Sequence, residues 1–159
     1  MKRSRTADCT RAAVAGASLL ALVGCGPAPD DLAPGQEPYL RYCASCHGNA
    51  GEGKAPSFPP LAGSEWLDMG PEAVAVIVLG GLAGEIEVAG RTYRGYMPPM
   101  RRVDDDSVAA LIGYMGEAWA GWEDLPDAGE IARLRGALRD AGPAQGRDGL
   151  MERLDEVSQ

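Results

Sequence analysis

The chain has 159 residues and 23 Asp/Glu against 15 Lys/Arg, a formal net charge of −8. That acidic balance argues against a phosphate-backbone partner, so nucleic acid is excluded, and the length admits one small domain with an extension. No stretch beyond the N-terminal segment approaches twenty apolar residues, which excludes a later membrane-spanning helix.

The chain begins with Lys2, Arg3, Arg5 and Arg11, followed by an apolar run from Ala12 to Val23. A basic start and an apolar run too short to span a bilayer read as a signal peptide, residues 1–24. It closes on Leu22-Val23-Gly24-Cys25, which resembles a bacterial lipobox and makes Cys25 the expected lipidated residue. The alternative is ordinary cleavage near Gly24 or Ala28. From Cys25 onward 11 Lys/Arg face 22 Asp/Glu. Residues 25–38 then form the lipid anchor and a Pro-rich tether able to stand the domain about 35–40 Å from the lipid. A spacer without a specific role is equally compatible.

Tyr39 is expected to start a helix that runs into Cys43-Ala44-Ser45-Cys46-His47. Two cysteines three apart, with a histidine directly after the second, form the attachment signature of a c-type haem. Residues three apart share one helical face. Both sulfurs can therefore reach the vinyl groups of one porphyrin, and His47 can swing its ring beneath it. His47 is the only histidine of the chain, which excludes a bis-histidine iron. Its Nε2 is the expected iron ligand, with Nδ1–H donating to a backbone carbonyl. Two rival chemistries fit less well. Structural zinc wants four ligands, and only three cluster here. A redox Cys-x-x-Cys belongs beside a strand–helix–strand pattern that is not evident. Cys9 leaves with the signal and Cys25 takes lipid, so no cysteine is left for a disulfide.

Gly48 to Gly53 reads as a tight loop. Phe58-Pro59-Pro60-Leu61 follows, and the Pro60 carbonyl is a candidate acceptor for the His47 Nδ1–H. Pro71 to Leu79 is expected to be helical, ending at Gly80-Gly81. Glu85 to Val88 alternates and turns through Ala89-Gly90 into a small hairpin with Arg91 to Tyr93. Met97 sits in Gly95-Tyr96-Met97-Pro98-Pro99-Met100, read as a loop whose prolines fix φ and suit the presentation of one thioether sulfur. Met100 is the rival axial residue, and Met115 belongs to the core. Asp104 caps a helix carrying Val108, Leu111, Ile112 and Met115. Asp127 to Arg139 is a further helix with Ile131, Leu134 and Leu138 on one side. The end of the chain, Leu150 to Val157, is expected to be a frayed tail, with a short amphipathic helix as the alternative.

The region from Gly35 to Trp119 resembles a class I monohaem cytochrome c domain. The family places a glycine eight residues and an aromatic four residues before the first haem cysteine, and Gly35 and Tyr39 match. The resemblance implies an all-α fold, a small cytochrome c fold wrapped around one covalent haem. A minor β-hairpin and a C-terminal helical extension complete it, with the domain over 39–122 and the extension over 123–159. It also implies Met97, in a Gly-x-Met-Pro type segment, as the distal ligand, so that cofactor binding falls to Cys43, Cys46, His47 and Met97 and iron to His47 and Met97. Asp104 and Tyr114 match the acid-led start and packing aromatic of the family's last helix. The family pattern is disturbed by Pro38, which is expected to delay the first helix and loosen the Gly35 contact. Similar Met-Pro-Pro segments occur in cytochrome subunits of bacterial oxidases and alcohol dehydrogenases.

The function expected is that of a periplasmic, lipid-anchored one-electron carrier, not an enzyme, containing one covalent haem c and its iron. Its partners would be a redox donor and acceptor of a respiratory chain, and the membrane through Cys25. The alternatives are a dedicated cytochrome subunit of a membrane oxidase or dehydrogenase, docked through the extension, and a haem-based ligand sensor. Arg91, Arg94, Arg101 and Arg102 flank the Met loop. They read equally as a basic docking patch and as charges paired with nearby aspartates or a propionate.

Overall fold

Residues 31–159 are described by a computed structural model. The expected signal peptide, the expected lipidation site Cys25 and residues 26–30 of the expected tether lie outside the described residues. Helix α1 spans Gln36–Tyr42. It starts three residues earlier than the sequence suggested, so residues 36–38 are helical, not tether. Pro38 does not delay it, because the missing N–H falls in the first turn, where no intrahelical acceptor exists. The Gly35 contact is tight as well. With φ at +76°, its Cα faces α4 so closely that an added Cβ would lie 1.9 Å from the Ala110 carbonyl oxygen. Gly35→Ala is therefore expected to cost about 3 kcal/mol in stability, from overpacking and a left-handed alanine together. Denaturant midpoints check this, and a loss below about 1 kcal/mol would mean that α1 and α4 can part without penalty.

A short α2, Ala44–His47, follows directly. After a long loop, helix α3 spans Pro71–Gly80, with proline in its first turn. Seven of its ten residues are buried, so it is a central helix and not an amphipathic one. Strands β1 (Leu82–Val88) and β2 (Arg91–Met97) form an antiparallel hairpin, pairing Leu82 with Met97 and Val88 with Arg91. The hairpin is longer than alternation alone indicated. Met97 accordingly ends a strand and does not sit in a free loop.

Helix α4 spans Asp105–Met115, and the Asp104 carboxylate accepts from the Ser107 N–H at 2.8 Å. That bond and a second one from the Ser107 hydroxyl hold the Asp104 carboxyl below its ordinary value. Its capping contribution is complete above the usual carboxylate range and fades as pH falls through the depressed value. Helix α4 continues into a π-helical turn, Gly116–Ala120. Tyr114 and Trp119 meet Tyr39 of α1 at ring-centroid distances of 5.4 and 5.2 Å, the Trp edge-on. The first and last helices of the haem-motif region are thereby locked together.

The extension packs into the same core. Helix α5 (Ala128–Ala137) opens on a capping box between Asp127 and Glu130. Ala144–Gln145 then forms a third strand, β3, parallel to Leu82–Ala83, giving the order β2-β1-β3. Helix α6 spans Gly146–Val157. The end of the chain is therefore not frayed. Leu150 is fully buried, as are Ile131, Leu134 and Leu138. Burying one such side chain contributes about 1.5–3 kcal/mol, which works against fraying of the terminal helix. The all-α fold with a minor hairpin holds, enlarged by the two-residue β3. The extension thus packs Ile131, Leu134, Leu138 and Leu150 into its own domain while Leu125 and Met151 stay exposed. Among the described residues no helix is long and apolar enough to cross a membrane.

Candidate haem-binding site

Cys43 closes α1 and opens α2 at once, and its N–H donates to the Tyr39 carbonyl at 2.8 Å. The N–H groups of Cys46 and His47 both return to the Cys43 carbonyl. One helical turn thus carries both thiols and the imidazole. Neither cysteine is in a disulfide; Cys43 is buried and Cys46 half-buried. Burial pushes the Cys43 thiol up to about 11, with Cys46 adding to the effect, so before attachment it is a protonated thiol.

The half-buried His47 ring is fixed from one side. Its Nδ1 lies 2.9 Å from the Pro59 carbonyl oxygen. A carbonyl only accepts, so Nδ1 carries the proton and Nε2 keeps a free lone pair. The sequence pointed to the neighbouring carbonyl of Pro60; the structure assigns the role to Pro59. Burial holds the imidazole below its ordinary value against the opposing pull of that carbonyl, which favours the neutral, ligating form.

The loop that supplies Pro59 is wound tightly. The Gly53 N–H donates to the His47 carbonyl at 2.7 Å, and Leu61 and Ala62 N–H both donate to the Gly51 carbonyl. Gly53 has φ +72°, and a Cβ there would meet the Pro60 nitrogen at 2.6 Å. Beneath this loop the buried Tyr39 hydroxyl donates to the Gly48 carbonyl at 2.6 Å. Burial, with Cys43 and Tyr114 nearby, raises the Tyr39 phenol well above its ordinary value, so it remains a donor. Tyr39 is thus more than a packing aromatic: it bonds the backbone immediately after His47. Its position four residues before Cys43 was visible in the sequence, but its hydrogen bond was not.

Met97 comes from a different part of the fold, the last residue of β2, half-buried against the core. Met100 is also half-buried, and its N–H donates to the Val78 carbonyl at 2.7 Å. Met115 is buried in the core as expected. Leu79, Val108 and Ile112 are buried, whereas Leu61 is only half-buried.

These residues suit a haem. Two thiols and a neutral imidazole with its second nitrogen already bonded are the donor set that covalent attachment and proximal ligation require. Leu61, Met69, Ile77, Met97 and Met100 add half-buried apolar surface packed on the core. A structural zinc site wants four donors, and among the described residues no His, Cys, Asp or Glu joins Cys43, Cys46 and His47 in a metal-holding group.

The arginines divide by role. Arg94 pairs with Glu85, and Arg101 donates to backbone carbonyls of the extension. Arg91 and Arg102 form no ion pair among the described residues. Of the four, Arg94 alone is ion-paired among the described residues, and its partner is a glutamate and not one of the aspartates the sequence suggested.

Comparison with known proteins agrees with this geometry. The family model for cytochrome c matches residues 32–119. Cytochrome c-552 of Thermus thermophilus is 40% identical over 81 residues, covering 48% of this chain and 62% of that protein. A second cytochrome c-552 of the same organism is again 40% identical over 81 residues, with 48% and 55% covered. The matched segment thus spans less than two thirds of either relative. With more than half of the chain matched, and Cys43, Cys46 and His47 set on one turn within it, the chain belongs to the cytochrome c family, whose cofactor is a covalently attached, iron-containing haem c.

Proposed function

We propose that this protein is a one-electron carrier of the bacterial periplasm. Lipid on Cys25 ties it to a membrane, and His47 and Met97 are the axial ligands of one haem c attached through Cys43 and Cys46. The observation that carries the reading is the commitment of the sole histidine: Nδ1 is bonded to the Pro59 carbonyl, leaving Nε2 as the single imidazole ligand. A second protein ligand is then another residue type; Met97 and Met100 are both half-buried beside Pro98 and Pro99, and Met97 takes the role on its Gly-x-Met-Pro type segment. When bound, the haem supplies an iron that gains and loses one electron, and imidazole–thioether ligation favours its ferrous form.

The remaining work belongs to the chain. The Pro59 carbonyl holds the imidazole in one tautomer and orientation. Pro98 and Pro99 limit the motion of the segment after Met97. Tyr39, Tyr114 and Trp119 brace the haem-motif turn against α4. A carrier needs such rigidity, because every atom that moves on reduction slows transfer. Donor and acceptor would be respiratory redox proteins met through brief contacts of small area.

Two results are expected. The reduced holoprotein passes its electron rapidly to a small inorganic oxidant while binding carbon monoxide slowly; fast carbon monoxide binding would favour the ligand sensor instead. Cys25→Ser moves the protein from the membrane to the soluble periplasmic fraction with an unchanged haem spectrum. Retention of the variant in the membrane fraction would refute the lipid anchor.

A further inference from the structure

The segment joining β2 to α4 carries Met97, Pro98, Pro99, Met100, Arg101, Arg102 and Val103. Two guanidinium groups cross between it and helix α5. Arg101 reaches out of the segment to the turn that follows α5, with Nη1 donating to the Arg139 carbonyl at 2.6 Å and the Leu138 carbonyl at 3.2 Å, and Nη2 donating to the Ala141 carbonyl at 2.6 Å. Arg135 reaches back from α5. Its Nη1 donates to the Arg101 carbonyl at 2.9 Å, its Nη2 to the Val103 carbonyl at 2.6 Å, and its Nε to the Asp105 carboxylate at 2.7 Å.

This arrangement is more than surface pairing. The acceptors lie in the turn directly after α5, close to the negative end of that helix, where a cation is favoured. Arg135 and Asp105 are only 27% and 31% exposed, which limits screening. The segment is also held on its other side, where the Met100 N–H donates to the Val78 carbonyl. Between Met97 and Arg101 stand only three residues, two of them prolines with fixed φ. Arg101 is thus one of three holds on this short segment, beside the Leu82 pairing of Met97 and the Val78 bond of Met100.

We propose that Arg101 and Arg135 are positioning residues for the axial methionine, through which the C-terminal extension sets how firmly the thioether stays on the iron. The proposal rests on Met97 being that ligand. It gives the extension a part in redox chemistry without any contact with the haem.

The test uses ferrous and ferric holoprotein of Arg101→Ala, Arg135→Ala and the double variant. Carbon monoxide must displace the thioether, so its association rate reads how often the ligand leaves. We expect that rate to rise about tenfold in each single variant and further in the double variant, the worth of one or more charge-assisted hydrogen bonds. On heating, the sulfur-to-iron charge-transfer band of the ferric form should fade below the temperature of global unfolding. Arg135→Lys should rescue poorly, since one ammonium cannot reproduce the planar fork. Arg133→Ala is the control for general weakening of the extension, because Arg133 bonds the Val157 carbonyl and Glu72, away from the Met97 segment. It should leave the carbon monoxide rate unchanged.

The proposal is overturned if the arginine variants change the rate by less than about twofold, below the worth of a charged hydrogen bond. It is equally overturned if Arg133→Ala changes the rate as much as they do. Met97→Ala separates the two claims. A band that persists in that variant removes Met97 from the iron. A band lost there but undisturbed in the arginine variants overturns the positioning role alone.

Discussion

Replacing both Cys43 and Cys46 by serine is expected to give a chain with no covalently attached haem. Thioether formation needs a sulfur at each vinyl group, and a serine hydroxyl cannot substitute. Haem staining of the denatured chain, or its intact mass, reads the result directly. The single variants should differ. Cys43 is 8% exposed and its backbone links α1 to α2, whereas Cys46 is half-buried. A serine at 43 places a hydroxyl in a largely apolar setting, at a cost of about 1–3 kcal/mol if it finds no partner. Cys46→Ser should therefore retain more singly attached haem than Cys43→Ser. Full covalent attachment in the double variant would contradict the assignment of the motif.

Met97→Ala should remove the sulfur-to-iron charge-transfer band of the oxidised protein and open the reduced iron to carbon monoxide. The reduction potential should fall by roughly 100–300 mV, a fraction of the range that axial ligands command. The direction follows from ligand softness, since a thioether stabilises ferrous iron more than a water or a hard donor taking its place. Met100→Ala is the informative partner. Its N–H is bonded to the Val78 carbonyl, a backbone role that survives the substitution, so band and potential should stay close to those of the unmodified protein. The opposite pattern would assign the iron to Met100.

What the sequence conveyed best was local. Cys43, Cys46 and His47 lie on one turn, and their spacing alone specifies that. Asp104 and Asp127 announce their helices because a cap and its N–H partners lie three residues apart. The Ala89-Gly90 turn marks the hairpin for the same reason. Contacts distant in sequence escaped. Strand β3 is two residues long and has no periodicity to detect; it exists because Ala144 and Gln145 meet β1. Arg101 reads as a docking charge or a partner of nearby aspartates until the carbonyls of the turn after α5 are seen 37 to 40 positions away. The acceptor for His47 was misplaced by one residue because neighbouring prolines offer equivalent carbonyls and only the loop's path chooses between them. The docking of α6 was missed because a short amphipathic stretch looks the same in sequence whether or not its apolar side has a partner. Leu150 and Val157 find theirs in the core that α3 and β1 share.

The extension changes how the molecule is understood. In the sequence it trails a complete domain. In the fold it supplies four fully buried aliphatic side chains and a third strand, and it bonds both to and from the segment that carries Met97. The haem motif and the Met97 segment are thus braced by different means, the first by an aromatic cluster and the second by paired arginines.

The central claim is a single iron closed on both sides and passing one electron. A spectroelectrochemical titration of the purified holoprotein tests it most directly. A single one-electron wave is predicted, with low-spin spectra at both ends and the sulfur-to-iron band vanishing in step with reduction. A high-spin ferrous spectrum, or an oxidised form without that band, would contradict it.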